Sequence, residues 1–352
     1  MRHLVASCFV ITVALGACGK KETPPPETTP PPTTVAPEED TATAPEPEAD
    51  TAEAATTAPE ADAGAATAAP EADAEAATAA PEADAEAATA APEGDAGAAA
   101  AAPVEDMGTL VAKDIEYKAG DTTLKGYIVW DGASTDKRPG ILVVHEWWGL
   151  NDYAKMRARM LARLGYTAMA LDMYGDGKST EDPKVAGEWA GGVYADPAAM
   201  KARFDAALDM LKAEDTVDPE RIGAMGYCFG GGIVLGMARA GEDLDGVVSF
   251  HGVLETKEPV GKDVVKPELL VLTGGADPMV PQEQVDAFKK EMTDAGAKFD
   301  VVVYDGAKHA FTNPAATEAG KKYDLPVAYD EAADKDSWEK MTAFWARVLA
   351  AK

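Results

Sequence analysis

A single cysteine sits among glycines in Gly226-Tyr227-Cys228-Phe229-Gly230, with Gly231 and Gly232 following. The apolar run Arg221 to Tyr227 reads as a strand and Gly230 to Ala240 as a helix. The cysteine therefore falls on a turn too tight for side chains beside it, which leaves the sulfur exposed. The helix that begins there aims its free N–H groups and positive end at the sulfur, favouring the thiolate. Asp277, in Gly274-Gly275-Ala276-Asp277-Pro278, and His309, in Ala307-Lys308-His309-Ala310-Phe311, follow the apolar runs that end near Thr273 and at Tyr304. Covalent acyl transfer asks for these three types: a nucleophile, a base that takes its proton, and a carboxylate that fixes the imidazole tautomer and balances its charge. Each has an ordinary reading alone. A free cysteine is commonly a small buried hydrophobe, Asp277 can cap a turn ahead of Pro278, and His309 can be a solvated loop residue. Their arrival in register, each just past a strand, favours the chemistry.

The elements that must position them alternate. Thr109 to Trp130 reads as two paired strands turning at Ala119-Gly120-Asp121. Gly140 to Val144 is a short continuous apolar run, as for a strand covered on both faces. Asn151 or Asp152 caps a helix with Met156, Met160, Leu161 and Leu164 at helical spacing, closed by Gly165. Strands follow at Tyr166 to Met173, Gly246 to Phe250, Leu269 to Thr273 and Phe299 to Tyr304. Helices are expected at Pro197 to Lys212, Pro281 to Gly296 and within Tyr329 to Ala351. Such alternation implies a mostly parallel, doubly wound sheet with helices on both faces and its site at the carboxyl ends of the strands.

With these residues in view, positions 109 to 350 resemble the dienelactone hydrolase family, so an α/β-hydrolase fold is expected, with nucleophile, acid and histidine in the chain order of that fold. The likeness extends to His145-Glu146-Trp147-Trp148-Gly149-Leu150 and Leu171-Asp172-Met173-Tyr174-Gly175. It implies that Glu146 holds the resting thiol and takes part in activating it; without the resemblance Glu146 reads equally as an ion-pair partner. It also implies that the backbone N–H groups of Trp147 and Phe229 form an oxyanion hole, and that the Asp172 segment is pocket wall. One departure stands out. The family holds its substrate's carboxylate with two arginines; one of those positions is Asn313 here, and between Gly175 and Met200 the only bases are Lys178 and Lys184. A lysine does not replace a bidentate guanidinium. His145 is expected to be strand-end packing and His251 a structural loop histidine.

Residues 1–17 read as a signal: Arg2 and His3, an apolar run from Leu4 to Leu15, and small residues at the end. Leu15-Gly16-Ala17-Cys18 resembles a bacterial lipoprotein box, which implies acylation of Cys18, and Gly19 is compatible with outer-membrane sorting. Residues 18–107 form an acidic Ala/Pro-rich linker, without one aromatic from Gly19 to Met107. Pro59, Pro70, Pro81, Pro92 and Pro103 recur at a strict period of eleven. Each proline interrupts any helix, and like charges repel, so an extended, disordered spacer of at least roughly 50 Å is expected. Processing would remove Cys8 and acylate Cys18, so Cys228 has no disulfide partner. The linker carries 21 acids against Lys20 and Lys21, whereas residues 108–352 hold 40 acids and 29 bases, so no basic face suits nucleic acid.

The sequence thus implies a lipid-anchored, monomeric envelope hydrolase that cleaves an ester or lactone through a thioester on Cys228, with no cofactor and no metal. Two competitors remain: an envelope lipoprotein that binds a small molecule on a hydrolase scaffold without catalysis, and peptide or thioester cleavage by the same residues.

Overall fold

A computed structural model describes residues 107–351. The signal at 1–17, Cys18 and the repeat linker up to position 106 lie outside the described residues. Eight strands form one sheet in the order β1-β2-β4-β3-β5-β6-β7-β8. The first two, β1 (Leu110–Ala119) and β2 (Thr122–Asp131), make the hairpin that turns through Gly120-Asp121. β2 runs antiparallel to β4 (Thr167–Leu171), and from there every pairing is parallel through β3 (Arg138–Val144), β5 (Val217–Tyr227), β6 (Gly246–Phe250), β7 (Glu268–Gly274) and β8 (Phe299–Tyr304). Both β4 and β6 are buried along their whole length, as their unbroken apolar runs require in a sheet covered on both faces.

Alternate residues of one strand feed opposite cores. Leu142 and Val144 join one hydrophobic cluster with Phe204, Ile233 and Phe288; Ile141 and Val143 join the other with Leu161, Phe344 and Trp345. The first layer is closed by α3 (Pro197–Lys212), α4 (Phe229–Arg239) and α5 (Gln282–Asp294), the second by α1 (Asp152–Arg163) and α7 (Glu331–Val348). Asn151 caps α1, its side chain accepting the Ala154 N–H, and Asp330 caps α7 by accepting from Ala332 and Ala333.

Two helices lie where no helix is expected from periodicity: α2 (Pro183–Tyr194) and α6 (Ala316–Tyr323). Each buries only two residues, Ala186 and Val193 in α2, Ala316 and Gly320 in α6. Neither helix therefore has a stripe of large apolar residues to mark it, and α6 is only eight residues long. Local signals were present, since Asp182 caps α2 ahead of Pro183 at the first helical position.

The β5–α4 junction carries the fold's tightest turn. Cys228 adopts φ 54° and ψ −116°, left-handed space that a residue with a Cβ enters at a cost. Gly226 and Gly230 make it possible: a Cβ on the former would overlap the Gly230 carbonyl, and one on the latter the Val144 carbonyl.

Candidate active site

The residues that close β3, β5, β7 and β8 converge at one end of the sheet, around a cavity of about 570 Å³. Cys228 and His309 line it, with Glu146, Trp147, Phe229 and Asn313 among the surrounding groups. Asp277 lies just behind, 4% exposed. Its Oδ2 accepts the His309 Nδ1–H at 2.8 Å, while Oδ1 accepts the Met279 N–H at 2.8 Å. The carboxylate is thus held by backbone on one side and fixes the imidazole on the other. His309 is 3% exposed, and its Nε2 is buried without a settled hydrogen bond. Cys228 is half-buried beside it. Burial opposes charge on the imidazole, but the neighbouring sulfur and the Asp277 bond outweigh it and raise the His309 pKa to about 10. The arrangement favours imidazolium whenever the sulfur is a thiolate.

Trp147 and Phe229 line the cavity next to the sulfur, and among the described residues no protein acceptor takes either backbone N–H. Both carbonyls are held from behind: the Tyr174 hydroxyl donates to Trp147 O at 3.0 Å and the Tyr194 hydroxyl to Phe229 O at 3.0 Å. The peptide that carries the Trp147 N–H is held through its own carbonyl, Glu146 O, which accepts from His145 Nδ1 and the Gly149 N–H. Two free N–H donors beside the sulfur suit a developing oxyanion.

Glu146 is 2% exposed and accepts the Asn313 amide N–H at 2.6 Å; no hydrogen bond joins it to the thiol. Burial pushes its pKa up to about 7, against the lowering effects of Asn313, His309 and Arg157. Asn313 is therefore more than the loss of an arginine: it is the donor that steadies this carboxyl. His145 is packing with a fixed tautomer. Its Nδ1–H donates to Glu146 O at 2.5 Å, its Nε2 accepts the Met173 N–H at 3.2 Å, and burial holds it neutral.

The Asp172 segment differs from the expected pocket wall. Asp172 is fully buried and accepts the N–H groups of Lys125, Tyr174, Gly175 and Gly177, stapling the loop after β4. Tyr174 supports Trp147 from behind the cavity rather than lining it. Part of the remaining lining comes from α6 and the chain after it, with Tyr323, Leu325 and Val327, joined by Tyr194 from α2, Val253 and Met279. The sequence does not mark these residues because the two helices bury no large apolar side chain; nor does it show the contacts of His251, although that residue stands first after β6, a strand-end position like those of the others.

The doubly wound sheet and this strand-end cluster define an α/β-hydrolase. Within that class, the profile described as the dienelactone hydrolase family matches residues 124–349, and the chain belongs to that family of ester hydrolases. The protein named usf of Aquifex pyrophilus is 28% identical over 243 residues, 67% of this chain and 98% of its own length. A Methylorubrum extorquens protein named as a candidate carboxymethylenebutenolidase is 34% identical over 185 residues, 49% of this chain and 63% of its own. Among solved structures, a dienelactone hydrolase-like promiscuous phosphotriesterase from metagenomic libraries is 35% identical with a TM-score of 0.66, covering 69% of this chain and 100% of its own.

The Glu146 carboxyl yields a prediction. Folded, it keeps its proton up to about pH 7; an ordinary glutamate releases it at 4.5. The folded state thus binds more protons across that interval, so its stability contribution is full below about 4.5 and lost as pH rises through 7. Glu146→Gln keeps an acceptor for Asn313 without ever ionising. Denaturant titrations from pH 5 to 8 should show a flatter decline for the variant, and at pH 8 a gain of about 1–3 kcal/mol over the parent.

Proposed function

We propose that the protein hydrolyses uncharged activated esters or lactones through a thioester on Cys228, with His309 as proton carrier and Asp277 as its orienting carboxylate. The observation that carries this reading is the buried His309–Asp277 hydrogen bond at 2.8 Å, with the far nitrogen of the imidazole unpartnered beside the sulfur. The thiol gives its proton to His309 Nε2 and the sulfur attacks the acyl carbon. The resulting oxyanion is held by the N–H groups of Trp147 and Phe229, and the leaving group departs with the proton from His309. Water, deprotonated by the same imidazole, then attacks the thioester and releases the acid and the thiol. Glu146, close to its midpoint at neutral pH, stabilises the imidazolium when ionised.

The reaction itself narrows the substrates. A thiolate leaves more readily than an alkoxide, so a tetrahedral intermediate returns to substrate unless the substrate's own leaving group is good. Enol lactones and aryl esters meet that condition. The cavity narrows them again. No arginine lines it, its carboxylates are Glu146, Glu181 and Glu318, and the cation is Lys322, which stands 3.8 Å from Glu181 and over the Tyr323 ring. With three carboxylates in the lining against that paired lysine, an anionic substrate would lose its water to surroundings of mostly like charge. The same reasoning brings in neutral phosphotriesters, the class of compound for which the metagenomic relative is named.

Aryl-ester turnover by the protein is expected to fall by at least about 10³-fold in Cys228→Ala, and mass spectrometry of the quenched parent should find an acyl adduct on the peptide bearing Cys228. Equal and negligible rates for parent and variant would instead favour the non-catalytic binding protein. In the substrate series, 4-nitrophenyl butyrate should exceed its succinate monoester, which carries a carboxylate, by about tenfold or more in kcat/KM. It should exceed ethyl butyrate by more still; parity in either comparison would refute the corresponding step of the argument.

The reading places this enzyme at the cell envelope, lipid-anchored through Cys18 and held off the membrane by the acidic spacer, on the strength of the Leu15-Gly16-Ala17-Cys18 box and the proline-spaced repeats. Stable anchoring needs more than one acyl chain, which lipoprotein processing would supply. Cys18→Ser is expected to move the protein from the membrane pellet to the wash of a bacterial host; an unchanged pellet fraction would remove the anchor from the proposal.

A further inference from the structure

We propose that His251 is a positioning residue for the nucleophile: its imidazole, pinned between the Cys228 backbone N–H and the Thr312 hydroxyl, holds Cys228 in the left-handed conformation that attack requires. The inference rests on the reading of Cys228 as nucleophile. His251 is fully buried and takes no part in lining the cavity. Its Nδ1 accepts the Cys228 N–H at 3.0 Å, and that N–H also reaches Phe250 O at 3.0 Å, a shared three-centre bond. Acceptance at Nδ1 puts the ring proton on Nε2, which donates to Thr312 Oγ1 at 2.8 Å. The Thr312 and Tyr153 hydroxyls are 2.7 Å apart. Arg157 donates to Tyr153 Oη at 3.3 Å, to Thr312 O at 2.6 Å and to Asp334 Oδ1 at 2.6 Å. A continuous buried chain thus runs from the nucleophile's own amide to α1 and α7.

Two residues with side chains, Cys228 at φ 54° and His251 at φ 40°, face each other across this bond. Left-handed backbone persists only where its surroundings over-determine it. The imidazole fixes the Tyr227–Cys228 peptide from one side and the first turn of α4 fixes the next peptide from the other. Together they decide where the sulfur points and where the Phe229 N–H is aimed. The role requires a neutral ring. A protonated Nδ1 would set a donor against the Cys228 N–H, and would add charge beside His309, edge-on at 5.2 Å, and near Arg157. Burial and those two cations hold His251 well below the usual histidine range.

The two amide replacements separate the two halves of the imidazole. In His251→Asn the carbonyl oxygen takes the place of Nδ1 and still accepts the Cys228 N–H. In His251→Gln the longer side chain reaches Thr312 and leaves that N–H with the Phe250 carbonyl alone. With full-length protein and 4-nitrophenyl acetate, His251→Asn is expected to keep kcat within about threefold of the parent. His251→Gln should lose about 10- to 100-fold in kcat, at a KM within about twofold, and should alkylate more slowly with iodoacetamide. Melting temperatures of both variants accompany the rates, because a packing role would lower both alike. If the two variants retain equal activity, high or low, or if His251→Gln is the faster, the positioning role is overturned. Full activity in Cys228→Ala would overturn the nucleophile reading and this inference together, an outcome separable from the others because it needs no change at His251.

Discussion

A side-chain-bearing residue held in left-handed space at the end of a central strand is the constraint on which the rest depends. Cys228 occupies φ 54° only because the chain closes around it from several directions. Gly226 and Gly230 leave room for the backbone to fold back, the neighbouring β3 edge comes close enough to forbid any side chain at Gly230, and the amide of Cys228 is bonded to both Phe250 O and His251. Strain of this kind costs about 1–3 kcal/mol, and the parallel pairing of β5 with β3 and β6 supplies the rigid frame that sustains it. Stability and chemistry are therefore coupled at one peptide: loosening the turn would relieve the backbone and at once misdirect the sulfur.

Burial and neighbouring charge set distinct states for the three histidines and the glutamate around the turn. His145 and His251 are kept neutral by burial and each has its tautomer fixed by a backbone N–H donating to one ring nitrogen. His309 is the exception, because a sulfur on one side and a carboxylate on the other make charge favourable there. Glu146 lies between these extremes, with burial working against its ionisation and Asn313 for it. Three buried histidines and one buried glutamate within a single strand-end cluster thus divide into two neutral rings, one ring on which charge is favoured and one carboxyl poised near neutrality.

Much of this was legible in the sequence, and what was legible follows a physical rule. Strands buried on both faces, such as β4 and β6, announce themselves as unbroken apolar runs, and α3 spans the Pro197–Lys212 range expected of it, with Phe204, Leu208 and Leu211 buried. The loops after β3, β5, β7 and β8 could be named because chemistry in a parallel sheet gathers at the carboxyl edge. The walls of the cavity were not legible. α2 and α6 bury few residues, Ala186 and Val193 in one and Ala316 and Gly320 in the other, so no large apolar side chain marks them. The role of Asn313 was hidden for another reason. Its partner Glu146 is 167 positions away, and such pairs are defined by folding rather than by local pattern. The same holds for Thr312, which reaches His251 and Tyr153 from a loop with no signature of its own.

Arg157 carries a further consequence. Its guanidinium is 2% exposed, lies against the rings of Tyr153, Tyr227 and Trp338, and takes its carboxylate from Asp334 near the start of α7. Through Asp334, 177 positions further along the chain, α7 neutralises a cation lodged beneath β5. Until α7 docks, the sheet would cover an unpaired positive charge, so the closing of that layer and the settling of the strand that leads to Cys228 are one event, with α7 as the keystone of an arch.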